Sequence, residues 1–530
     1  MFDAPTRRAL APFALPLALA PLIMSAMRTN LREPLFTDPL VFQYTAWCIR
    51  HGLRLYRDVG AQDGPTIHYL HAAIQAIVGI TDRGFRRADL AIQIVGSGTM
   101  GALLAPALDP RRRVRSLTRA AWATATAAIW LSWYFTFGWE GTTQREGFYS
   151  MFGSVGMVLL FVSGDLEARW SRVALFAGAF FVTSQIFGKP TGIMYFGPGA
   201  LIIAMPNAGA VFDFWKRCKI FVAGSATFVL LLTLALLVSG SFTGYLHWCW
   251  VIPYVGNRYL YGTDWHRLYL AYWDRFNHLA EAAFVAGGAS IGVGLLPPRA
   301  LPFVIVPPVA YLAACLQARG FDYQIIPTIA SSHLVFLLIV TRLWRTEGVR
   351  HRADDRGATA ALALTFAGYY GFSSLEDAKP RWGGDPKSWD VPEHQSGEDE
   401  KKAGLYVKAH TKPDDTVFAY DWGNSHIILF AAERKTAAPY FHIYWLDPIG
   451  LLPLTEVKPD PAQLAALAQL QDYHRKTSCA AVLANKPAAM VFDAIDRGYA
   501  FCPELRGVLA NDFAPPAAIG ALQVYLRKPQ

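Results

Sequence analysis

Apolar runs recur along residues 1–373, and short clusters of Lys and Arg separate them. A soluble core cannot absorb so many such runs, and each approaches the roughly 20 residues that a bilayer crossing takes. The clearest, Ala88–Leu108, ends in Asp109-Pro-Arg-Arg-Arg-Val-Arg. Basic clusters of this kind stay on the cytoplasmic side. Arg7-Arg8 before the run Leu10–Met27 puts the N-terminus on the same side. Met24-Ser-Ala-Met offers no convincing cleavage site, so this run reads as an uncleaved first helix. Further spans are expected at 119–137, 148–163, 173–188, 190–205, 220–240, 280–296, 302–318, 326–341 and 359–373. The total is about 11 transmembrane helices. Alternation then places the first loop (28–87), 139–147, 241–278, 317–324 and everything after 373 outside the cytoplasm.

Composition supports this polytopic α-helical membrane protein. Only 17% of residues are charged, against about a quarter in soluble domains. The net charge of +9 divides into +12 for residues 1–373 and −3 for 374–530. Its basic part lies in the inter-span clusters, which argues against nucleic acid as a partner and for the lipid bilayer. The boundary near 373/374 separates a membrane domain from a soluble C-terminal α/β domain of about 150 residues. There Thr416–Tyr420, Ala480–Ala484 and Leu522–Leu526 read as strands, Pro461–Tyr473 and Met490–Tyr499 as helices. No Gly-rich phosphate loop or G-x-S-x-G elbow occurs in it. Of the six cysteines none forms a C-x-x-C pattern; Cys479 and Cys502 are either a disulfide or two unpaired core thiols.

The outward loops carry the candidate chemistry. The first holds Asp38, Asp58 and Asp63 among aromatics, then Thr66–Ile80, whose His68, His71 and Gln75 suit a juxtamembrane helix on the outer surface. Asp38 beside the bilayer can serve as a general base raised by desolvation; taken alone, the simpler reading is that Thr37 or Asp38 caps a helix with Pro39 at its first position. Asp58 and Asp63 are most simply turn formers. A divalent metal would need further acids beside them, and no cofactor is indicated. Arg145 either meets a lipid phosphate or pairs with Glu146 to fix its loop. Lys189, before Pro190 and between two short spans, either snorkels or binds an anionic lipid. In 241–278, His247, Arg258, Tyr259 and many Trp and Tyr residues suit a sugar or an interfacial aromatic belt. Arg319 and Tyr323 lie in the turn Gln317–Pro327 and either reach the same cavity or hold an interfacial turn.

Four of these features, in order, resemble the glycosyltransferase C superfamily, in the branch of protein O-mannosyltransferases and lipid A aminoarabinose transferases. They are the early acid Asp38 followed by G-L-R-L-Y-R-D and D-G-P-T-I-H-Y (Gly52–Tyr69), the Arg145-Glu146 loop, Lys189-Pro190, and Tyr323 with Pro327. Pro39 stands where relatives often have Glu, and Asp63 where many have Lys before the Gly-Pro turn. The resemblance implies an inverting-type transfer of a sugar from a polyprenyl-phosphate donor to an envelope acceptor, on the outer face of a bacterial inner membrane. It gives the base to Asp38 and donor phosphate contacts to Lys189, Arg145 and Arg319. Glu146, Asp58, Asp63, His68, His247, Arg258, Tyr259 and Tyr323 become supporting, sugar-binding or acceptor-binding residues. A transporter or flippase of a lipid-linked sugar is the rival reading. It would place its ionisable groups nearer the bilayer midplane and show internal repeats. A non-enzymatic assembly protein, whose C-terminal domain binds partners, is the third.

Overall fold

The computed structural model describes 38–345 and 397–529, apart from 108–115, 135–141, 206–210, 256–263, 273, 422 and 456–457, with scattered positions in 17–35. Outside these residues lie most of the first span, Glu140, Arg258, Tyr259, the span at 359–373 and the polar stretch that follows it. The chain forms two compact units. The first comprises 1–34, 82–232 and 265–390, and the second 35–81, 233–264 and 391–530. These units cut across the expected boundary at 373/374, because 35–81 and 233–264 join the C-terminal residues.

The first unit is a bundle of apolar helices at the positions that hydropathy marks: Asp82–Ala107, Ser116–Tyr134, Arg145–Val162, Ala168–Ile186, Ile193–Ala204, Asp274–Gly292, Leu301–Leu316 and Ile326–Arg345. Among the described residues of the whole chain, five helical segments are long and apolar enough to cross a membrane, Phe214–Val238 being one of them. Lipid gives packed helices little hydrophobic drive, so close approach of small residues holds them together. Gly156 and Gly178 show this: a Cβ on Gly178 would stand 2.8 Å from the Gly156 carbonyl oxygen. Side chains larger than hydrogen would separate the Arg145–Val162 and Ala168–Ile186 helices. Arg299, 12% exposed at its side chain, closes another seam, pairing with Asp165 at 2.5 Å and lying 4.5 Å over the Phe161 ring.

The second unit is built on a mixed five-stranded sheet of order β2-β1-β3-β5-β4. Its strands are β1 (Thr416–Tyr420), β2 (Lys435–Thr436), β3 (Ala489–Phe492), β4 (Ala517–Ile519) and β5 (Leu522–Leu526). β1 runs parallel to β2 and β3, with Tyr420 opposite Phe492; β5 runs antiparallel to β3 and β4. Two sequence expectations fail here. Ala480–Ala484 is not a strand but the end of the helix Pro461–Asn485. That helix starts from a capping box in which Asp460 accepts from the Gln463 N–H, with Pro461 in the first turn. Its alanines then propagate it. Met490–Tyr499 is not one helix but the buried strand β3 followed by the helix Ile495–Phe501. A short wholly apolar run reads alike for a buried strand and a helix segment. Cys479 and Cys502 form a disulfide. The expected aromatic loop contains a short helical stretch, Phe242–Val255, with a π-turn in its middle.

The helices Asp38–Arg50 and Pro65–Val78 belong to this unit and pack together. The Tyr44 hydroxyl, fully buried, donates to the Arg434 carbonyl at 3.1 Å. Trp248 stacks on Tyr440 at 4.8 Å and lies against Gly60 so closely that no Cβ fits there.

Candidate functional site

The cationic site of the first unit starts from a buried polar scaffold. Arg86, Asp89, Gln93 and Ser97 lie on one face of the helix Asp82–Ala107 and are all buried. Asp89 accepts from the Tyr134 hydroxyl at 2.7 Å and from Gln93 at 3.1 Å. Trp130 donates to Gln93 at 2.8 Å. Tyr134 in turn receives the Thr143 N–H at 3.0 Å. Arg86 donates to the Thr142 hydroxyl at 3.0 Å. These bonds pin Thr142 and Thr143, the latter with φ of 64°, immediately before the helix that opens with Arg145 and Glu146. Sequence reasoning missed this scaffold, although polar residues at spacings of three and four in an apolar helix announce it.

Glu146 is 2% exposed at its side chain, and one of its oxygens, Oε1, takes two cations. Lys189 Nζ approaches it at 2.7 Å and Arg145 Nε at 3.1 Å. Its other oxygen, Oε2, has no hydrogen-bond partner among the described residues. Lys189 is held in extended backbone just before the turn Pro190–Gly192. Gly188 precedes it because a Cβ there would stand 2.2 Å from the Tyr149 ring. Burial pushes the Lys189 ammonium down to about 8; Glu146 opposes this, while Arg145 and Arg319 add to it. Arg319 therefore lies within electrostatic reach of the same ammonium.

A small cleft opens on this group. Its lining mixes the polar Glu146, Lys189, Gln317 and Gln324 with the apolar Met194, Ala310 and Ala314. Gln324 Oε1, like Glu146 Oε2, has no partner among the described residues. Tyr323, its neighbour, stacks on Phe321 at 5.5 Å. The cleft presents the Lys189 ammonium beside apolar walls, with the Arg145 guanidinium on the far side of the shared Glu146 carboxylate and two buried acceptors in its wall, unpaired among the described residues.

In the second unit Asp38 is the first residue of its helix and half-buried, with Pro39 next. Asp58 is held by Arg54 through two side-chain bonds of 2.7 and 2.8 Å and accepts the Arg54 N–H at 2.9 Å. It closes a turn. The Asp63 carbonyl accepts from the Tyr56 hydroxyl and from the Cys249 thiol, the latter at 3.3 Å. His68 is buried with neither ring nitrogen hydrogen-bonded among the described residues. Burial lowers it to about 3 and carries His71 well below the usual histidine range. Gln43 lies 3.1 Å from His71 Nδ1, and Gln75 donates to the Gln43 carbonyl at 2.8 Å. These two histidines are neutral core groups, with Phe42 edge-on to both. His247 meets His474 at 3.1 Å between their Nε2 atoms, and His474 Nδ1 donates to the Trp445 carbonyl at 3.0 Å. The structure thus brings Lys189, Arg145 and Glu146 together, with Arg319 in electrostatic reach of Lys189, while Asp38, Asp58, Asp63, His68 and His247 belong to the second unit.

No family model and no curated protein matches the chain. Among solved structures, it is similar to ArnT from Cupriavidus metallidurans bound to undecaprenyl phosphate. That pair is 12% identical over 98% of this chain and 99% of the other, with a TM-score of 0.47. The same protein in the apo state gives 13% identity, full coverage of both chains and a TM-score of 0.49. The apo oligosaccharyltransferase of Archaeoglobus fulgidus gives 10% identity over 89% of this chain and 69% of its own, with a TM-score of 0.48.

Proposed function

We propose that the protein is a membrane glycosyltransferase that moves a sugar from a polyprenyl-phosphate donor to an envelope acceptor outside the cytoplasm. The observation that carries this reading is the partly buried Lys189–Glu146–Arg145 group at a cleft with apolar walls. An anionic head on a hydrocarbon tail is the ligand such a surface suits. Lys189, Arg145 and Arg319 hold the phosphate; Gln324 Oε1 accepts a hydroxyl of the donor. Asp38 takes the acceptor proton, the acceptor oxygen bonds to the anomeric carbon, and the carbon–phosphate oxygen bond breaks with its electron pair left on the phosphate. The disulfide Cys479–Cys502 supports an oxidising compartment for the second unit. That agrees with the charge pattern of an inner-membrane protein whose C-terminal residues lie outside.

The test follows release of free polyprenyl phosphate from a panel of polyprenyl-phosphate sugars, by protein in nanodiscs with a membrane extract as acceptor source. Wild type releases it, and a folded Asp38→Asn protein is slower by at least about a hundredfold. Equal turnover by both removes Asp38 from the chemistry. Binding of the lipid-linked sugar without any release favours a carrier.

A further inference from the structure

Two cations converge on one oxygen of Glu146, and the other oxygen, buried beside the cleft, is left without a hydrogen bond among the described residues. A carboxylate is a costly group to bury where an anion must bind. If it only positioned Lys189, a neutral amide would do so without repelling the ligand. Its negative charge therefore needs a use, and the change in the phosphate during the reaction supplies one.

A sugar phosphodiester carries one negative charge. Once the carbon–oxygen bond to the sugar breaks, the electron pair stays with the phosphate, which becomes a monoester. The monoester's second ionisation lies near pH 6, so at neutral pH it carries close to two charges. A site built of Lys189, Arg145 and Arg319 alone would hold that product more tightly than the donor. It would be throttled by its own leaving group.

We infer that Glu146 is the residue that sets the charge selectivity of this cleft, favouring the monoanionic donor over the dianionic product and so driving release of the polyprenyl phosphate. This rests on the proposed glycosyltransferase reading and adds to it a role for a residue that does no chemistry. Repulsion by the carboxylate acts once on the donor and nearly twice on the product. Its effect survives whichever cation lies closest to the phosphate, because it depends on the difference of one charge.

The test compares affinities for polyprenyl phosphate and for one polyprenyl-phosphate sugar at pH 7.2, on full-length protein in nanodiscs. It uses wild type, Glu146→Gln and Glu146→Asp. Removing the carboxylate also lowers the fraction of protonated Lys189, which weakens the dianion more than the monoanion and masks the effect, so the ratios are compared in a Lys189→Arg background whose guanidinium keeps its charge. In Glu146→Gln the preference for product over donor rises about tenfold. Product inhibition tightens in step, and turnover shows an initial burst followed by a slower steady rate. Glu146→Asp, which withdraws the carboxylate by one methylene, moves the ratio the same way by less, and serves if the glutamine variant does not fold. An unchanged ratio in a folded variant overturns the inference and leaves Glu146 as a support for Lys189. Absence of binding of either lipid to folded wild type instead overturns the glycosyltransferase reading, and the inference with it.

Discussion

The state of Lys189 gives a pH profile that can be worked out beforehand. Burial, with Arg145 and Arg319 nearby, brings its ammonium down to about 8, even with Glu146 bonded to it. The charged form that binds phosphate is thus present below that value and lost above it. At pH 7 about nine-tenths of the molecules carry the charge, and at pH 9 about one-tenth, so kcat/KM for the lipid donor falls about tenfold over that interval. A solvent-exposed lysine, near 10.4, would stay more than about nine-tenths charged at pH 9 and give a flat line. Lys189→Arg, whose guanidinium keeps its charge, should abolish the fall up to about pH 10. Unfolding is separable by sign. Because the folded value lies below the unfolded one, the unfolded chain binds more protons between about 8 and 10.4. This lysine's contribution to stability therefore rises with pH while activity drops. The assay is initial-rate release of polyprenyl phosphate from pH 6 to 9.5, with thermal unfolding read in the same buffers. A wild-type profile flat to pH 9.5, or an equal decline in Lys189→Arg, would refute the reasoning.

Other outcomes follow from the same structure. Asp165→Asn removes the carboxylate from the largely buried Arg299 and should cost about 3 kcal/mol, seen as a lowered melting temperature in detergent; Arg299→Met with Asp165→Asn should recover much of it. Loss of the disulfide, by reduction or Cys479→Ala with Cys502→Ala, opens a loop of sequence separation 23. The expected cost is about 3 kcal/mol on chain-entropy grounds, read as faster proteolysis of the second unit. Glu146→Gln and Asp38→Asn have the readouts given above.

The helices of the first unit were legible because lipid demands apolar runs of fixed length, and each described apolar helix begins and ends within six residues of an expected apolar run. The site was half legible. Arg145 and Glu146 announce an ion pair by adjacency, and the structure keeps that pair, yet Glu146's shorter bond is to Lys189, 43 residues on. Nothing local in either segment encodes so distant a partner. Asp89 escaped notice for the opposite reason. Its helix is apolar enough to be read as a span, and the polar face within it makes sense only once Tyr134 and Thr142 supply partners. In the second unit, strands and helices were confused wherever a run was short and wholly apolar, as at Met490. The allegiance of 35–81 to the C-terminal residues left no composition shift at all, since contacts such as Tyr44 to Arg434 span 390 residues.

That allegiance also has a consequence for biogenesis. The second unit draws on three stretches of chain, and its sheet cannot close until β4 and β5 have been made. The helix that opens with Asp38 leaves the ribosome long before them. Its buried Tyr44, Trp47 and Phe42 must be shielded by something else while more than 300 further residues are added. At about 5–20 residues per second, that wait is on the order of half a minute. Assembly of this half therefore waits for its last strands, and a chain stalled before residue 391 would expose an apolar helix face with no native cover.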